Sequence, residues 1–456
     1  MTQTRALSRL PLIFLFLTAI TLAMPWRPAA GHAAATPEER GFQNITRNSY
    51  GMPMMTPQML RMLPTVWEPE WQARVNANDP DSIRKLAFER YGFCDAPWDN
   101  KGAPMQMTVN PLGGWTQNCM LCHGGRVPGT GQPMIGMPNT EIDMQTLYDD
   151  LTKLTRYKPP FELAFGISRG RTNAFVFSIE LLRRRNEDLS TRKDPLPMGE
   201  YKDSDLDALP WWYLKKKTAL YVDAAVKGDF ARPIMQFTMG EPSGEKIRSW
   251  ENDFRDVLAY LRTIEAPKYP YPIDRKLAGA GQKVFAKNCA GCHGTYGPDG
   301  QYPNKLVPLE VVGTDPVRLT GLTKEFRSYF NKTWFSQHSS HAEEAPNGYV
   351  APPLDGVWAS APYFHNGSVP TIYGVLTQAA RPKYYRRTGG AVAYDAKNMG
   401  LQYEGLPGPA ADNLAPEARR RVIDTTKQGL GNQGHPFGFK LKEKEKRQVM
   451  EYLKTL

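Results

Sequence analysis

Two short segments constrain this chain more than anything else in it. Cys119-Met-Leu-Cys122-His123 and Cys289-Ala-Gly-Cys292-His293 repeat one pattern, Cys-x-x-Cys-His, and together hold four of the five cysteines. Two thiols at this spacing add across the vinyl groups of a haem, and the adjacent histidine is then held under the iron as a ligand. A zinc site would draw both Cys-x-x-Cys pairs into one cluster and leave the two histidines unexplained. A redox dithiol belongs to a strand–helix–strand context that is absent here. The expectation is two covalently bound haem c groups, one on Cys119, Cys122 and His123 and one on Cys289, Cys292 and His293, with His123 and His293 as metal ligands. The fifth cysteine, Cys94, reads as a buried free thiol.

Residues 1–35 have the form of a signal peptide. Arg5 and Arg9 precede the apolar run Leu10–Met24, Pro25 breaks it, and Ala33-Ala34-Ala35 offers small residues for cleavage. The run is too short to span a bilayer, which takes about 20 apolar residues. The mature protein is therefore expected in the periplasm or secreted, with no stable membrane span after cleavage. The net charge of +11 includes three arginines of the leader. Four haem propionates would reduce it further. No dense Lys/Arg stripe with interleaved aromatics is present, so nucleic acid is not expected as a partner. A mildly basic surface suits an acidic redox partner protein.

The remaining chain reads as a duplication. Residues 256–264 (DVLAYLRTI) and 448–456 (QVMEYLKTL) share Val257/Val449, Tyr260/Tyr452, Leu261/Leu453 and Thr263/Thr455. Apolar residues recur at helical spacing in both, and each segment follows one haem motif. Residues 266–274 (APKYPYPID) hold three prolines and form a stiff connector. Residues 277–288 predict a helix running into the second motif. The expected fold is mainly α: two tandem class I cytochrome c-like haem domains with long loops and an N-terminal extension. The boundaries are 1–35 (signal peptide), 36–109 (N-terminal extension), 110–265 (first cytochrome c-like domain), 266–274 (linker) and 275–456 (second cytochrome c-like domain). No β-sheet pattern stands out beyond a few short strands.

The second axial position on each iron separates electron transfer from reaction with dioxygen or peroxide. Of seven histidines, none lies between Arg126 and Asn288, so the first haem has no histidine near it in sequence. Met235 and Met239 are candidate ligands there, although a methionine is more often core packing. Gln236, Phe237 and Glu241 come from the same stretch, and Glu241 is a candidate proton donor to a reacting oxygen species. His435 sits in the glycine-rich segment Gly431-Asn-Gln-Gly-His435-Pro-Phe-Gly and is the favoured second ligand of the second haem. His338 and His341 read as solvent-exposed. Trp211, Trp212 and Trp250 lie between the two motifs in sequence.

Ala361-Pro-Tyr363-Phe-His365-Asn-Gly367-Ser-Val-Pro-Thr371 resembles the segment after the second haem in the bacterial di-haem cytochrome c peroxidase superfamily. The order of motifs matches over roughly residues 110–456. The C-terminal Gly434-His435-Pro-Phe-Gly and the helix after it are more similar to the di-haem rubber-oxygenase-type cytochromes c. The resemblance implies that Tyr363, His365, Asn366 and Gly367 form a turn beside the second haem, that Tyr363 and His365 are candidate catalytic residues, and that His435 ligates the second haem. It also implies a tryptophan bridge between the haems, with Trp211 or Trp212 as the candidate. One departure is notable: peroxidases place a methionine about 14 residues beyond the motif histidine, and this chain has Ala379. The leading expectation is an oxidoreductase using peroxide or dioxygen at the first haem while the second relays electrons from a redox partner protein or small donor. The alternatives are an electron-transfer cytochrome without turnover and a redox-sensing subunit.

Overall fold

Thr36-Pro-Glu-Glu39 opens the first helix, α1 (Pro37–Arg47). The Thr36 hydroxyl accepts from the Glu39 N–H at 3.2 Å, and the Glu39 carboxylate accepts from the Thr36 N–H at 2.9 Å. Pro37 occupies the first turn, where its missing N–H leaves nothing unpaired. α1 packs against α3 (Glu251–Leu261), with α2 (Met120–His123) between them in sequence. The crossing is close because Gly41 has no side chain: a Cβ there would lie 2.0 Å from the Asp256 carbonyl oxygen and 2.7 Å from the Tyr260 Cβ. Arg40 locks the pair with a two-pronged bond to the Asp256 carboxylate, both contacts at 2.7 Å.

The same crossing occurs a second time. α4 (Arg275–Asn288) runs into α5 (Ala290–His293), and α4 packs against α6 (Glu443–Leu453). Gly281 occupies the place of Gly41: a Cβ there would lie 1.8 Å from the Gln448 carbonyl oxygen and 3.1 Å from the Tyr452 Cβ. Asp256 and Gln448, and Tyr260 and Tyr452, are the positions the sequence repeat aligns. Ile45 and Phe285, four residues beyond the two glycines, are both buried.

The structure is a computed structural model describing residues 35–157, 170–171, 174–199, 206–337, 340–343, 345–390, 392–411 and 414–456. Residues 1–34 of the expected leader, and His338, lie outside the described residues. Thr36–Leu456 form one compact unit. Among the described residues no helix is long and apolar enough to cross a membrane.

The expectation of a mainly α fold is corrected to a mixed one. Helices alternate with six two- or three-stranded antiparallel sheets among the described residues. The strands are two to four residues long, and a strand of that length is too short to display a period of two. Two sheets flank the first haem motif. β1 (Met107–Val109) pairs with β2 (Trp115–Gln117), and β3 (Gly124–Arg126) with β4 (Pro133–Ile135). The expected boundary at residue 109/110 therefore falls inside a hairpin. Residues 55–107 also share an apolar core with Trp115 and residues 142–151. The main core collects α1, α3, α4 and α6 with Trp212, Trp358 and Tyr363. The connector 266–274 is pinned to it: the Pro267 carbonyl accepts from Trp358 Nε1 at 3.0 Å.

Candidate functional site

The first motif is held from both ends. The Asn118 carboxamide oxygen accepts from the Met120 N–H at 2.9 Å, and fully buried Met120 anchors α2 in the core. His123 Nδ1 lies 3.0 Å from the Leu209 carbonyl oxygen. That bond fixes Nδ1 as the donor and leaves Nε2 as the free lone pair, the state a ligating imidazole needs. Burial lowers the His123 pKa to about 4, so the ring is neutral. The Trp211 indole stacks on it at 4.8 Å between centroids and 24° between planes. Burial raises the Cys119 and Cys122 thiols to about 11 and about 12.

The second motif is built alike. His293 Nδ1 lies 2.8 Å from the Pro352 carbonyl oxygen, and burial lowers its pKa. Here a second imidazole is present. His435 faces His293 with centroids 6.2 Å apart. Two imidazoles on opposite sides of one metal ion have centroids about 6 Å apart, from about 2 Å per metal–nitrogen bond and about 1 Å to each ring centre. The residues therefore fit an iron between them. His435 is half-buried, its Nδ1 is buried without a hydrogen-bond partner, and burial, aided by His293 and Arg381, lowers its pKa to about 3.

His435 is carried on a strained, clamped loop. Its φ is +55°, and Gly434 before it has φ +83° with no room for a side chain against Gly313. The Arg381 guanidinium donates to the carbonyls of Asn432 (2.6 Å) and Gly434 (3.0 Å) on one side and of Gly374 (2.8 Å) and Val375 (3.0 Å) on the other. The Asn366 carboxamide, fully buried, donates to the carbonyls of Gly429 and Gly431, both at 3.0 Å. Phe364, with φ +67°, brings its ring to 6.2 Å from His435. The segment 363–367 is thus a turn braced against the loop bearing His435.

The other residues singled out in the sequence are placed as follows. The Tyr363 hydroxyl lies 3.2 Å from the carbonyls of Val357 and Met399. His365 stacks on Tyr349 at 4.4 Å, its Nε2 is buried without a partner, and burial with the nearby Arg318 charge lowers its pKa to about 3. Glu241 is engaged locally, with its carboxylate 2.9 Å from Lys246 Nζ and accepting from the Ser243 N–H. Met235 and Met239 are buried in the main core. The Gln236 side chain bonds the Tyr221 hydroxyl, and Phe237 and His341 are exposed. Among the described residues no second imidazole comes into ring contact with His123.

Several functional positions escape sequence reasoning. Leu209 and Pro352 act through backbone carbonyls, which no side-chain pattern reveals. Between them runs a continuous path: Leu209-Pro210-Trp211-Trp212, then Trp212 Nε1 donating to the Asp355 carbonyl at 2.7 Å, then back along the chain to Pro352. Trp250 is elsewhere, edge-on to Tyr50. Asp207 donates its N–H to the His365 carbonyl at 2.9 Å, and burial pushes its carboxyl up to about 8 against the pull of Arg171 and Arg387. Arg381 carries no local sequence signal.

Paired Cys-x-x-Cys-His helices, each histidine oriented by a backbone carbonyl, are the arrangement of a c-type cytochrome. A model of the RoxA-like, cytochrome c-like family matches residues 348–386. That stretch contains Pro352, the 363–367 turn and Arg381, the parts that surround His293 and His435. The match supports a relationship to rubber-oxygenase-type cytochromes c and implies covalently bound haem c. The chain is also 28% identical over 287 residues to the uncharacterized protein y4iM of Sinorhizobium fredii (strain NBRC 101917 / NGR234), covering 54% of this chain and 63% of the relative. It is 29% identical over 260 residues to the uncharacterized protein y4iJ of the same strain, covering 42% and 41%. The chain thus spans less than two thirds of either relative.

Proposed function

We propose that this chain is an exported di-haem c-type cytochrome oxidoreductase of the di-haem peroxidase type, in which the first haem meets peroxide or dioxygen and the second relays electrons. One observation carries the reading: His435 faces His293 at 6.2 Å, whereas His123 stacks on Trp211 and, among the described residues, has no second imidazole in ring contact. Haem c supplies a redox-active iron, which exchanges electrons when two imidazoles close it and admits an oxygen species when one position stays open.

The chain's own residues divide the work. Leu209 and Pro352 fix the tautomer and aim of His123 and His293 through their carbonyl oxygens. Arg381 and Asn366 hold His435 in place, and Tyr363 and His365 enter as residues that shape the turn behind it. Glu241 supports the segment that follows Met239. Trp211 and Trp212 offer a continuous bonded route between the two histidines. Asp207, with a carboxyl near neutrality, sits where it can hold a proton between the two sites. The repeated crossing of α1 with α3 and of α4 with α6 supports two tandem cytochrome c-like units, the first starting at Pro37. Electrons would come from a redox partner protein or a small donor in the periplasm or outside the cell.

Optical and EPR spectroscopy of the purified holoprotein test this. One low-spin haem, together with one that binds cyanide or carbon monoxide, is the expected result. Two low-spin haems that bind neither ligand would overturn it. A methionine-to-iron charge-transfer band lost in Met235→Ala or Met239→Ala would then favour simple electron transfer.

A further inference from the structure

A pocket of about 310 Å³ opens on the side of the first attachment segment, lined in part by Gly125 and Arg126 of β3, by Asn139 and by Cys94. It is separate from both haem motifs: none of their cysteines or histidines lines it. Five of its charged lining residues are cationic and three are carboxylates. The balance at its inner end is less even than it looks. Glu141 is already paired with Arg387 at 3.1 Å and with Arg420 at 3.2 Å. Arg420 is spent as well, because its two terminal nitrogens donate to the carbonyls of Arg90 and Glu89. Arg421 is therefore left over. Its nearest contact with Glu141 is 4.0 Å, and its Nε is buried without a hydrogen-bond partner. Phe88 and Phe93, edge to face at 6.2 Å, give the pocket an apolar wall.

A surplus of guanidinium groups in an open pocket beside aromatic rings selects an oxyanion on an apolar body, because a planar fork bonds a carboxylate or phosphate through two donors. We propose that this pocket is a binding site for a small organic dianion, with Arg421 and Arg126 as its charge partners. The site is coupled to the first motif through the backbone. Asn139 donates its N–H to the Cys122 carbonyl at 2.8 Å and its side chain to the Leu121 carbonyl at 3.1 Å, and β3 begins one residue after His123.

The test is calorimetric titration of the holoprotein with phthalate and, separately, with inorganic phosphate at fixed ionic strength. Saturable binding of phthalate alone identifies a carboxylate ligand, and tighter binding of phosphate identifies a phosphate ester. Arg421→Ala should weaken the preferred probe about tenfold or more, the worth of one charge-assisted bond. Arg421 is partly exposed and weakly paired, so the variant is expected to fold, which circular dichroism checks. Lys227→Ala, on an exposed pair with Glu343, should bind as wild type does. Absence of saturable binding for both probes, or undiminished binding in Arg421→Ala, overturns the proposal.

Discussion

The indole of Trp211 lies flat on the imidazole of His123, 4.8 Å away, while Leu209, two residues earlier, accepts the hydrogen bond from the same ring. One short segment thus fixes both the tautomer and the rotation of the first motif's histidine. The next residue, Trp212, reaches the Asp355 carbonyl on the turn that leads back to Pro352. Trp211→Ala should slow electron equilibration between the haems about tenfold, as loss of an outer-shell partner commonly does. Trp211→Phe should fall between. Rapid photoreduction of the half-reduced protein measures it, and a rate unchanged in Trp211→Ala would remove this route.

Arg381 makes four bonds to carbonyls with one planar group. Lysine has the charge without the fork. Arg381→Lys should therefore free the Gly434–His435 segment and cost about 2 kcal/mol of stability. Its spectroscopic signature is a high-spin fraction in the second haem, the same change that His435→Ala should produce in full. An Arg381→Lys protein with a wild-type spectrum would show that the loop holds itself.

Two glycines on one helix give opposite expectations. A Cβ at Gly281 would collide with the Gln448 backbone, whereas at Gly279 it would meet nothing within 4 Å. Gly281→Ala should destabilise by about 3 kcal/mol through overpacking. Gly279→Ala should be neutral or stabilise by about 0.5 kcal/mol, since alanine restricts the unfolded chain. Gly41→Ala should behave as Gly281→Ala does. Thermal melts of the three variants settle the equivalence of the two crossings.

His365 supplies a pH dependence. In the folded protein it stays neutral down to about pH 3, whereas an unfolded histidine takes up its proton near pH 6.5. Below that value the unfolded state alone binds the proton. Stability is therefore complete above about pH 6.5 and is lost as pH falls toward the folded value. His365→Phe keeps the ring stacked on Tyr349 and removes the titration. Wild type should lose about 2 kcal/mol more than this variant between pH 6.5 and pH 4, read from denaturant melts. Parallel pH profiles would exclude His365 as the cause.

What the sequence reveals and what it hides follow from range. The haem motifs are legible because attachment chemistry acts over five consecutive residues. The loop holding His435 is marked by its own glycines. α1 is not legible as half of a helix pair, because its partner Asp256 lies 216 positions from Arg40. The Thr36–Glu39 cap and the four-residue step from Gly41 to Ile45, matched by Gly281 and Phe285, are the signals that point to it. The sheets escape for a different reason: pairs such as Tyr394–Asp395 with Gly400–Leu401 are stabilised by the turns and core around them, not by any pattern within the strand.

Each helix crossing closes a loop around the motif it serves. Cys119 lies between α1 and α3, and Cys289 lies between α4 and α6. If the chain is threaded through a membrane from its amino end, as proposed above, each motif emerges before the helix that clasps it. Until that helix arrives the loop is open, and closing it is slow because the joined residues are far apart in sequence. In an exported chain that interval would be a window for loading: covalent attachment would take place on an unclasped loop, and arrival of α3 or α6 would seal the cargo inside.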